Sequence, residues 1–167
     1  YLERIKNDLG CQIIVLSNLP HHNREKREIA FKKNGLNFPI ISNSGLKGIA
    51  IKEIAKKQKN KIFFIDDISA NLLSAYNEVD DVKLIHFISD KRLEKLATTP
   101  KEVDFKAQNW KEIYNYLENE TYQILDNDKN KIYQKILIEF SIGIILFGLG
   151  IILIIISILK RFENGFR

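Results

Sequence analysis

The chain has 167 residues, with 26 Lys and Arg against 21 Asp and Glu, a net charge of +5, 45% hydrophobic residues, one Cys and no Met. That length suits one ordinary domain with a tail and excludes a large multidomain assembly. The apolar content excludes a disordered chain, because enough surface can be buried to offset the entropy of ordering it. Cys11 alone makes neither an internal disulfide nor a cysteine metal site, so a reducing compartment is expected. The charge excess is modest and scattered. Runs such as Lys56-Lys57 read as solvated helix faces, and no nucleic-acid partner is expected. With no Met at position 1, sequence ahead of Tyr1 is expected.

In chain order, Leu2, Ile5 and Leu9 share a helix face that ends at Gly10, and Gln12 to Leu16 reads as a buried strand. A helix is predicted from Asn23, as N-cap, to Asn34, with Gly35 just past its end; a short extended piece follows at Phe38 to Ile41. After the loop Ser42 to Gly48 come a helix over Ile49 to Gln58 and a strand over Lys61 to Ile65 that is apolar on both faces. Helix Ser69 to Tyr76, strand Val82 to Phe87, a short helix at Lys91 to Leu96 and a last helix at Trp110 to Leu117 complete the pattern. Alternating helices and strands predict an α/β domain over residues 1–118 with a doubly wound parallel sheet, whose ligands collect at the carboxyl ends of the strands.

Residues 119–131 read as a polar linker, 132–160 as a transmembrane helix and 161–167 as a short basic tail. The membrane expectation rests on Phe140 to Leu159, twenty residues without a charge, of which fifteen are Ile, Leu or Phe. As a helix this run spans about 30 Å, the thickness of a bilayer's hydrocarbon core. Its fifteen large apolar side chains favour insertion by about 4 to 9 kcal/mol in total. Lysines on both sides of the run leave the orientation undecided by charge.

Polar groups fall where a doubly wound sheet places its site: Ser17 and Asn18 after the first strand, Lys47 opening a helix, and Asp66-Asp67 after an apolar strand. Two adjacent carboxylates repel each other by about 1 kcal/mol at 4 Å in water and by several at an effective dielectric near 20. A cation relieves this. Oxygen ligands without His or Cys suit a hard ion such as Mg²⁺, which accompanies phosphate substrates. The plainer reading is that one of the two acids caps the next helix.

Ile13-Ile14-Val15-Leu16-Ser17-Asn18, then Lys47 ahead of a helix, then Phe63-Phe64-Ile65-Asp66-Asp67 with Asn71 four residues on, resembles motifs II, III and IV of the haloacid dehalogenase-like hydrolase superfamily. The resemblance implies a Mg²⁺-dependent phosphohydrolase acting on a phosphorylated substrate. Ser17 would hydrogen-bond the phosphoryl group and Lys47 would offset its charge. Asp67 would hold the metal with Asp66 in support, and Asn71 stands where many members have a second acid. The family's nucleophilic Asp lies on a first strand ahead of these motifs, which this sequence does not contain, so the chain by itself is expected to be inactive. Asp126-Asn127-Asp128 has the nucleophile motif's spacing but reads as turn chemistry. His21 is a weak candidate for the substrate mouth, whereas His86 and Cys11 read as packed structural residues. A non-catalytic, membrane-tethered binding module of the same fold is the alternative, and the missing disulfides with the implied Mg²⁺ and phosphate chemistry lead to the expectation of a cytoplasmic domain.

Overall fold

The computed structural model describes the backbone of residues 1–58 and 60–164, and the side chains of residues 1–58 and 60–138. It divides into two units, Tyr1–Asn119 and Glu120–Arg167.

The first unit is an α/β fold with parallel sheets. Its elements run α1 (Leu2–Asp8), β1 (Val15–Asn18), α2 (Arg24–Lys33), β2 (Ile40–Asn43), α3 (Gly48–Ala55), β3 (Ile62–Asp66), α4 (Ser69–Glu78), β4 (Val82–Phe87), α5 (Lys91–Glu94), β5 (Phe105–Ala107) and the start of α6 (Trp110–Asn164). A single 3-10 turn, His21–Asn23, leads into α2. Every strand pairing is parallel, as the alternation of helices and strands predicts.

The single sheet expected from the sequence is instead two: β1 pairs with β2, and β3, β4 and β5 form a second sheet in that order. The larger sheet carries the core. On one face Ile5 of α1 and Ile113, Tyr114 and Leu117 of α6 pack with Ile85 and Ala107, joined by Phe63 and Ile65. On the other, Ile51 of α3 and Leu72 and Ala75 of α4 pack with Phe64, Val82 and Leu84. Helices therefore cover both faces, which explains why β3 and β4 are almost continuously apolar. Close approach of α3 to α4 depends on Gly48, since a Cβ there would run into the backbone and hydroxyl of Ser74. The Gly48 N–H donates to that hydroxyl at 3.0 Å.

Two element boundaries differ from expectation for one physical reason. The apolar run starting at Gln12 becomes a strand only from Val15, whose N–H donates to the Pro39 carbonyl at 2.9 Å. A strand needs a partner, and β2 begins only at Ile40, just beyond Pro39, which has no N–H to offer a ladder. Strand β5 was not expected at all.

Residues 119–131 are helical rather than an irregular linker, since α6 continues to Asn164. Glu, Gln, Leu and Lys in this stretch are good helix formers, and Asn130 Nδ2 donates to Asp126 Oδ2 one turn back at 3.3 Å. Asp126-Asn127-Asp128 is therefore helical and not a turn. Among the described residues no helix is long and apolar enough to cross a membrane. The run Phe140 to Leu159 lies outside the residues whose side chains are described.

Candidate functional site

The carboxyl end of β3 is where two of the expected residues meet. Lys47, the residue before α3, reaches across so that its Nζ lies 2.7 Å from Asp66 Oδ2. Both are shielded, with side chains 15% and 3% exposed, so the pair is buried rather than a surface contact. The other Asp66 oxygen accepts the Ile68 N–H at 2.8 Å and Asn71 Nδ2 at 3.0 Å. Asp66 is thus saturated by an ammonium, a backbone donor at the entrance to α4 and a buried amide. Taking two charges out of water costs several kcal/mol per ion before their attraction repays it, and the extra hydrogen bonds make this geometry tenable. Removing Lys47 alone would leave a carboxylate uncompensated in a nearly dry site, at a cost of about 3 to 5 kcal/mol.

Asp67 behaves differently. It is exposed, and no described hydrogen bond engages its carboxylate, whereas its backbone carbonyl accepts from His86 Nε2 at 3.2 Å. Because a carbonyl only accepts, Nε2 is the donor there, and Nδ1 shares a hydrogen bond with Thr99 Oγ1 at 2.8 Å. His86 is fully buried with both ring nitrogens engaged, and it fixes the backbone that presents Asp67.

The remaining expected residues gather at the carboxyl ends of β1 and β2. Asn18 Nδ2 donates to the Gly45 carbonyl at 2.9 Å, and Asn43 Nδ2 donates to Asn18 Oδ1 at 2.7 Å. These bonds close the turn in which Gly45 has φ +80°, a conformation that L side chains rarely adopt. Ser17 is half-buried and stands in register with Ser42, whose hydroxyl hydrogen-bonds His21 Nδ1. Lys47 and the two acids are therefore assembled at β3, Asn71 belongs with them, and Ser17, Asn18 and His21 form a neighbouring group on the smaller sheet.

Sequence reasoning missed Asn43 and Thr99 as parts of these networks, whereas His86 is the packed structural residue that was expected. Asn43 was visible as an Asn two residues before a glycine turn; Thr99 carries no local signal. Cys11 is half-buried, and burial pushes its thiol up from the ordinary range, which makes it a poor nucleophile.

Magnesium, which the motif resemblance implies, meets a sparse donor set. Among the described residues no three His, Cys, Asp or Glu side chains gather, and Asp66 is taken by Lys47. Mg²⁺ is commonly held by one or two carboxylates completed by water and substrate phosphate, and the open Asp67 carboxylate fits that limited role. No protein-family model matches the chain, and no curated protein or solved structure matches it either.

Proposed function

We propose that the first unit is a haloacid dehalogenase-like, Mg²⁺-dependent phosphohydrolase domain acting on a phosphorylated substrate and tethered to a membrane through Phe140 to Leu159. The observation that carries this reading is a shielded lysine ammonium, Lys47, held 2.7 Å from Asp66 at a strand's carboxyl edge, with the unengaged Asp67 carboxylate next in the chain. Asp66 and Asn71 position Lys47. An ammonium has three donors, and Asp66 engages one of them, which leaves two that could meet an incoming phosphate and offset its charge. Ser17, at the carboxyl end of β1, supplies a hydroxyl to a phosphate oxygen. Bound at Asp67, Mg²⁺ would supply a charge that draws phosphate oxygens toward the edge and neutralises them. These groups bind and orient; the nucleophilic aspartate that the resemblance implies is not among them. The lone Cys11 and the phosphate chemistry support a cytoplasmic location.

A second reading, a non-catalytic tethered module, is favoured by the saturation of Asp66, which resembles a structural clamp. Phosphate binding separates the two. For the full chain in detergent micelles, titration with inorganic phosphate should show Mg²⁺-dependent binding. Asp67→Asn should weaken it about tenfold or more, the worth of a charged hydrogen-bond partner, without lowering thermal stability. Lys47→Ala should weaken binding and stability together. Absence of phosphate binding, or binding indifferent to Asp67→Asn, refutes the phosphohydrolase reading and leaves the tethered module.

A further inference from the structure

The connections that follow the carboxyl ends of the strands carry a large share of the first unit's exposed apolar surface. Among the described residues of that unit, every Leu or Ile that is more than half exposed lies there: Leu46 and Ile49 after β2, Ile68 after β3, and Leu93 and Leu96 after β4. Leu96 is the extreme, at 80%. Single apolar side chains scattered over a surface need no explanation, whereas a cluster of them marks an interaction surface.

Polar contacts join these connections to one another. Leu46 precedes Lys47, whose Nζ lies 2.7 Å from Asp66 Oδ2, and the other oxygen of that carboxylate accepts the Ile68 N–H at 2.8 Å. Ser69, next in the chain, donates its hydroxyl at 2.6 Å to the carbonyl of Thr98, two residues beyond Leu96. The arrangement is thus a polar centre with aliphatic side chains standing on the separate connections around it. A protein interface has the opposite layout, an apolar core inside a polar rim. Separate protruding aliphatics suit the boundary between lipid headgroups and acyl chains, where burial is shallow and polar neighbours stay wet.

Charge selects among the occupants. The start of α2 lies at the same carboxyl edge, because α2 follows β1. Arg24 is paired with Glu28, Arg92 with Asp90 and Lys106 with Glu94, so these groups cancel. Among the described residues, no ion pair engages Lys26, Arg27, Lys91 or Lys95, and the exposed acids left over at this edge are Glu25 and Asp67. The surplus is cationic. A second copy of the chain would bring the same surplus against itself, whereas anionic headgroups complement it.

We infer that the carboxyl edge of the first unit docks on the surface of an anionic bilayer. Leu93 and Leu96 enter the interfacial layer, and Lys91 and Lys95 beside them meet lipid phosphates. The inference stands on exposure and charge, and depends neither on the phosphohydrolase reading nor on the tether.

The test uses the full chain with Cys11→Ser, reconstituted with vesicles of phosphatidylcholine alone or mixed with phosphatidylglycerol. An environment-sensitive fluorophore is placed at Leu96→Cys, and in a second chain at Asp80→Cys, in the exposed turn before β4. A quencher carried on lipid headgroups should dim the label at position 96 in the mixed vesicles and leave the label at position 80 bright. Lys91→Ala with Lys95→Ala should lower the ratio of docked to free protein about 25-fold, about fivefold for each lysine. Co-sedimentation with phosphatidylcholine vesicles reports the tether separately, so quenching at position 96 in mixed vesicles supports docking whether or not the tether holds. No quenching at position 96, equal quenching at position 80, or quenching indifferent to the two lysines would overturn the inference. So would shielding of position 96 from aqueous iodide in detergent micelles without vesicles, which would assign this surface to a second copy of the chain.

Discussion

The two sheets of the first unit are built from similar residues and differ in what surrounds them. In β3-β4-β5, Leu84, Ile85, His86 and Ala107 are fully buried, and helices pack on both faces. Just ahead of β1 and within β2, Ile14 and Ile41 are each 37% exposed although they are as apolar as their counterparts. Apolar sequence alone does not make a core. Burial follows from having neighbours on both faces and both edges, and among the described residues β1 pairs with β2 alone. The Lys47–Asp66 pair connects the start of α3, which follows β2, to the end of β3 across the carboxyl edge. The candidate site therefore straddles the same discontinuity that divides the sheets.

This comparison is sharpened most by matched truncations. Ile85→Ala in the buried sheet should cost about 2 to 5 kcal/mol, whereas Ile41→Ala should cost about 0.5 kcal/mol or less, as partly exposed positions do. Chemical denaturation of both variants decides it; equal losses would mean that β1-β2 carries as much of the core as β3-β4-β5. A smaller effect is expected at the helix contact beside Lys47. Gly48→Ala should cost about 1 to 3 kcal/mol, because the added methyl forces α3 away from Ser74. A neutral Gly48→Ala would show that the two helices are not in close contact in solution.

Legibility in the sequence followed how local each cause was. Strand β4 was expected at its observed bounds, Val82–Phe87, because its largely apolar run follows Asp80-Asp81 and gives way to Ser89-Asp90 one residue past its end. Strand β1 starts three residues later than expected because its start is set by where β2 becomes available, a fact of the partner rather than of the run. Strand β5 has only three residues, Phe105-Lys106-Ala107, and was too short to announce itself. The extent of α6 was hidden by Asp126, Asn127 and Asp128, which favour turns in isolation but are tolerated within a long helix.

For the site, the nearness of Lys47 to Asp66 was legible from their places at successive strand ends. The clamp on Asp66 by Asn71 and the anchoring of Asp67 by His86 were not, because each depends on the way neighbouring elements dock. Asn18, placed by the sequence beside Ser17 at the end of the first strand, ties a turn, a contact that its residue type alone does not announce.

Amide exchange in the unmodified chain, read residue by residue along β1 and β3, tests the central claim most directly, namely that two parallel sheets confront each other across an open edge. The account predicts alternation, with Ile14, Leu16, Phe63 and Ile65 exchanging about 100-fold faster than Val15 and Phe64, whose backbone groups lie within ladders. Uniformly slow exchange through both strands would mean that β1 and β3 pair with each other, and would contradict it.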